Sequence, residues 1–129
     1  MRFLLIAGLL VTILAGCRPA NRQVIGKGSE SGLTVQLEVA GRPQVGETTV
    51  LVHLLEGDEG VSGADIEVTG DMTHAGMTPV VSRALEVEPG LYRTTDFTFT
   101  MAGDWFLSAE GTLPEGEKIS ATLPIQVAR

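Results

Sequence analysis

The stretch "TGDMTHAGMTPVV", residues 69–81, places Met72, His74 and Met77 within six positions. These are two of the four methionines and one of the two histidines in a chain of 129 residues. Two thioethers and an imidazole suit Cu(I), a soft ion that accepts few ligands. Zinc would ask for thiolates, more imidazoles or carboxylates. A thioether has no proton to gain or lose near neutral pH, so only His74 would make such a site pH-sensitive. In an extended segment, positions 72 and 74 project to one face. Ala75 and Gly76 are small, and Gly76 can adopt positive φ, so the chain can fold back there and bring Met77 round. Met101, in "TFTMAGDW", is a fourth candidate donor. Asp71 is the candidate to orient the second imidazole nitrogen of His74. The other histidine, His53, lies mid-strand between Val52 and Leu54 and is expected to be too distant. The same residues allow a plainer reading. Methionine is a common filler of apolar cores, and Met72 and Met77 could pack beneath a turn that merely exposes His74. Residue types alone leave both readings open.

Little else in the chain is built for chemistry. Two histidines and scattered acids make no Ser-His-Asp arrangement. "GDEG", residues 57–60, is too short and lacks the ligand pattern of an EF-hand loop. Glu86 and Glu88 fall on one face of a strand and read as solvent-facing positions. An enzyme is therefore not expected. The formal net charge of −7 argues against nucleic acid or anionic lipid surfaces as partners, since both need a basic patch.

The N-terminus reads "MRFLLIAGLLVTILAGC". One charge, Arg2, precedes an apolar run to Ala15 that is shorter than a comfortable membrane span. It ends in small residues before Cys17, the only cysteine. This resembles a bacterial lipobox. It implies cleavage of a signal peptide at residues 1–16, lipidation of Cys17 and anchorage to a cell membrane facing the periplasm or the exterior. Acylation would also remove the oxidation liability of a lone exported thiol. Residues 17–32 are polar and rich in Gly and Ser, and read as a tether.

Strands must position the Met/His turn. "LTVQLEVA" (33–40) alternates apolar and polar residues, as a half-buried strand does. "TTVLVHLLE" (48–56) is apolar on both faces and is expected to lie centrally. "ADIEV" (64–68) is a short strand, "PVVSRALEVEPG" and "LYRTTDFTFTMAG" a hairpin around "EPG", and "DWFLSAEGTL" and "EKISATLPIQVA" the last pair. No helical period survives after residue 17. About seven strands at roughly ten-residue spacing predict an all-β, immunoglobulin-like (cupredoxin-like) β-sandwich over residues 33–129. Trp105, the only tryptophan, is expected in its core.

The order of the pieces resembles a family. "EGDEGVSGADIEV" is followed by a Met/His turn, and then by "EVEPGLYRTTDFTFTMAGDWFLSAEG". "GLY" (90–92) and "MAGDW" (101–105) are the most specific parts. Together they resemble the YtkA-like domain, a relative of the FixH-like proteins, over about residues 33–128. The resemblance implies a sandwich that is exported or membrane-attached and, through the FixH-like relatives, an association with copper delivery. The family turn often reads "MPxMxH"; here the order is Met, His, Met. Two functions are expected from this: a copper-handling module, or a metal-free envelope protein that acts through protein contacts.

Overall fold

A computed structural model of the chain describes residues 32–129 except Ala75. The leader at 1–16, Cys17 and the tether, apart from Gly32, lie outside the described residues. Ten strands follow in order: β1 Leu33–Val39, β2 Gly46–Thr48, β3 Val50–Glu56, β4 Glu59–Gly60, β5 Asp65–Met72, β6 Val80–Glu88, β7 Leu91–Thr94, β8 Phe97–Phe99, β9 Gly103–Thr112 and β10 Lys118–Val127. Seven make one antiparallel path, β1-β3-β7-β6-β5-β9-β10; β4 pairs with β3, and β2 pairs with β8. The path bends back until β1 lies beside β10, which gives an immunoglobulin-like sandwich close to a barrel. The expected all-β fold is what forms, with the short strands β2 and β4 added and one expected strand divided into β7 and β8.

The bend is made by β6. Its first half pairs with β5, from Gly70↔Val80 to Ile66↔Ala84. Its second half pairs with β7, starting at Ala84↔Thr94, and a register shift follows between Glu86 and Glu88. One strand thus serves both layers, as strands at sandwich corners do.

The core follows from alternation. β1 reads buried at Leu33, Val35, Leu37 and Val39, with half-buried residues between. β5 buries Ile66, Val68, Gly70 and Met72. At the centre stand Phe97, Phe99 and Trp105, all fully buried. Their rings meet edge to face, with centroids 5.3 Å apart for Phe97–Phe99 and 5.2 Å for Phe99–Trp105, the arrangement that ring quadrupoles favour. Trp105 is the core residue its rarity suggested.

Two boundaries differ from the sequence reading. The strand expected at 64–68 runs on through Gly70 to Met72, paired with β9 down to Met72↔Trp105. Gly70 is not a turn but a gap for rings: a Cβ there would come within 2.5 Å of Phe97. The single strand expected over 91–103 is two, because the chain breaks after Thr94 and β8 leaves to pair with β2. The hairpin around "EPG" forms as expected. Glu88 and Leu91 pair, Pro89 and Gly90 make the turn, and Gly90 has φ +81°, as a Pro-Gly turn requires.

Candidate functional site

The sandwich has two ends. At one end β5 starts, β6 stops and β1 begins. At the other β5 stops at Met72, β6 starts at Val80 and β9 starts at Gly103. All four candidate sulfur and nitrogen donors lie at this second end. The end of β5 at Met72 meets the 101–103 turn there, because Met72 pairs with Trp105. The Met72 methyl also sits 2.8 Å from where a Gly103 Cβ would stand. Gly103 has φ +133°, so both its backbone and its missing side chain are needed for this contact.

Met72 itself is core, with 6% of its surface exposed. It is the last residue of a strand rather than part of a turn. Met77 is half-buried and packs on the edge of the core. His74 is exposed. Met101 is 50% exposed, while its carbonyl accepts the Trp105 Nε1–H at 2.9 Å. That bond holds the 101–103 turn against the buried indole and leaves the thioether outside. Asp71 lies on the outward face of β5, and its Oδ1 accepts the Met72 N–H at 2.8 Å. Its contact is thus with backbone, and no bond to His74 forms. His53 stands mid-strand on β3 and meets Glu38 at 3.1 Å, away from this end.

The surface donors are therefore His74, Met77 and Met101, at the same end as the buried Met72 and Trp105. Among the described residues no side chain of 73–79 makes a hydrogen bond, so the imidazole is not committed to another partner. Among the described residues, too, no three His, Cys, Asp or Glu side chains gather as a metal-ligand group. The thioethers and imidazole at this end are a donor set that fits a soft monovalent ion rather than zinc or calcium.

The opposite end is bound by polar groups that sequence reasoning missed. The Tyr92 hydroxyl accepts the Ala64 N–H at 3.1 Å. It shares its proton between the Val61 carbonyl at 2.8 Å and Glu86 Oε1 at 3.1 Å. Glu86 Oε1 also accepts the Gly63 N–H at 2.7 Å. Glu86 is thus a clasp on the 61–64 loop and not simply a solvent-facing acid. Burial raises the Tyr92 pKa above its usual value; the Ala64 bond pulls it down, and Glu86 raises it by hydrogen bond and by charge. The backbone closes the same end. A Cβ on Gly90 would lie 2.5 Å from the Gly60 Cα and 2.8 Å from the Leu54 carbonyl oxygen, and that carbonyl accepts the Val61 N–H at 2.9 Å. The signal for this clasp was "GLY" (90–92), legible as a motif but not as a contact.

The YtkA-like family model matches residues 29–110, from before β1 to near the end of β9. Both the Tyr92 clasp and the Met/His end fall inside that span. No curated protein and no solved structure matches the chain.

Proposed function

The chain belongs to the YtkA-like family, and from that premise we propose an exported, lipid-anchored binding module that carries Cu(I) at its Met/His end. One observation supports this above the others: Met72↔Trp105 pairing joins two methionine segments that are far apart in sequence. His74, Met77 and Met101 are the ligands, and Met72 is the apolar floor beneath them. Copper is cargo here, held by neutral thioethers that do not compete for protons. An overall negative charge favours cations near the surface.

The lipid on Cys17 makes sense of the orientation. β1 begins at the end opposite the Met/His turn, and a seven-residue strand spans about 23 Å. A chain tethered through residues 17–32 would therefore present the copper end away from the bilayer, towards a partner in the envelope. Radiolabelled palmitate should enter the chain but not a Cys17→Ser variant.

Competition titration of the full chain with a Cu(I) chelator tests the metal. Replacing His74, Met77 and Met101 together by alanine should weaken binding at least tenfold, about 1.4 kcal/mol. Equal affinities, or no binding by either protein, overturn the reading. X-ray absorption of the loaded protein should show sulfur scatterers beside nitrogen. The metal-free reading, in which the protein works through protein contacts, has an observation of its own: apolar side chains on an outward sheet face.

A further inference from the structure

The two outward faces of the sandwich differ in kind. On β5, β9 and β10 the outward residues Glu67, Thr69, Ser108, Glu110, Ser120 and Thr122 are polar, as expected for a sheet facing water, and Phe106, 41% exposed, is the large apolar exception. On β3, β7 and the second half of β6 the outward positions include Leu51, Leu55, Leu91, Leu85 and Val87. Leu85 is 52% exposed and Val87 50%. Leu51, Leu55 and Leu91 are half-buried. Exposed apolar side chains interspersed with polar groups, here His53 and Arg93, mark a contact site.

The register says what fits there. Glu38 pairs with Leu51, Leu51 with Arg93, and Arg93 with Leu85. Across three neighbouring strands one row therefore reads acid, leucine, base. Glu38 and Arg93 stand on either side of Leu51, each about 4.8 Å away. A twofold axis running along β3 and above Leu51 exchanges the two sides. A second copy laid face to face then sets its Arg93 over Glu38 and its Glu38 over Arg93, with Leu51 against Leu51, His53 against His53 and Leu55 against Leu55. Glu38 Oε2 already meets His53 Nε2 at 3.1 Å within each copy, so the arginine would approach the other carboxylate oxygen. Sheets packed this way sit about 10 Å apart, within reach of an arginine and a glutamate extended towards each other. A crossing of about 30° moves groups one strand from the axis by only about 2–3 Å. The face is thus complementary to itself, as a twofold interface must be.

We propose that the outward face of β1, β3, β7 and the end of β6 binds the same face of a second copy, through Leu51 and Leu55 on the axis and two reciprocal Glu38–Arg93 pairs. The chain is acidic, which disfavours a like-charged lipid surface as occupant. Residues 18–32 are too polar to fill the face. The interface lies on the side of the sandwich and does not involve the Met/His end.

Sedimentation velocity on the full chain, in a density-matched neutral detergent, tests the proposal. The wild type should sediment as a dimer at about 100 µM. Glu38→Arg and Arg93→Glu should each raise the dissociation constant at least tenfold. The double reversal Glu38→Arg with Arg93→Glu should return it to within about threefold of wild type, which also shows that the single variants did not merely unfold. Thr122→Arg, on the polar face, should leave the dimer intact. A wild-type monomer, singles that dimerise normally, or a double reversal that fails to restore association each overturn it.

Discussion

The two ends of this sandwich are held by different forces. At the Tyr92 end one phenol, one carboxylate and two touching glycines tie the β6–β7 turn to the 61–64 loop. At the Met/His end apolar contact dominates: the Met72 methyl on Gly103 and Met77 on the core edge, with two side-chain hydrogen bonds, Trp105 to the Met101 carbonyl and the Met72 amide to Asp71. Hydrogen bonds fix geometry sharply and engage the polar groups that make them. Thioether packing fixes a floor and leaves donors on the surface uncommitted. The end proposed to bind copper is therefore the end with few polar partners, and the well-satisfied end serves the fold.

The largest effect expected from this contrast is at Gly90. Gly90→Ala places a Cβ at φ +81° against the Gly60 backbone. Strain and overpacking together should cost about 3–4 kcal/mol, read as a shift in the denaturant midpoint. A loss below about 1 kcal/mol would show that this end yields easily and that the contrast is false.

Next comes Met72→Ala. A buried methionine removed from a packed site costs about 2–4 kcal/mol, whereas exposed His74→Ala should fall within about 0.5 kcal/mol. If Met72→Ala were as mild as His74→Ala, the floor would not be a floor. Tyr92→Phe should follow at about 1–3 kcal/mol, because it strands the Ala64 N–H and the Val61 carbonyl.

Tyr92 also sets a pH test. Its folded pKa is raised, so the folded state holds the phenolic proton more tightly than the unfolded chain does. The associated stability is whole below the unfolded value of about 10 and declines as pH rises through the higher folded value. Denaturation midpoints measured from pH 9 upward should fall in the wild type, and should fall less steeply in Tyr92→Phe. Equal slopes would mean that the phenol is not desolvated as the clasp requires.

The smallest effect on stability should accompany the sharpest effect on binding. Met101→Ala exposes no new cavity, and its unfolding midpoint should stay within about 0.5 kcal/mol of wild type. Its Cu(I) affinity should nevertheless fall several-fold. A variant that lost stability but kept copper would place Met101 with the floor rather than with the ligands.

Much of the fold was legible because side-chain alternation is a local property. "LTVQLEV" became β1 with its four apolar residues inside, and "EPG" became the turn expected of it. The site was legible only as residue types. The pattern Met-x-His placed positions 72 and 74 on one face, but pairing with β9 carried the strand to Met72 and drew its side chain into the core. Asp71 and His74 looked like neighbours in sequence, yet Asp71 is bound to the Met72 amide. Glu86 looked solvent-facing because its partners, Gly63 and Tyr92, come from other strands.

Composition, spacing and the order of short motifs were enough to specify an all-β sandwich of this family. Period-two burial and turn chemistry act over a few residues and do not depend on what lies across the sheet. Which methionine is buried, which carboxylate is engaged, and that Met72 meets the 101–103 turn, were decided only by tertiary pairing. Those contacts join strands some thirty residues apart, and their register is set by filling the space around Phe97, Phe99 and Trp105 rather than by any local preference.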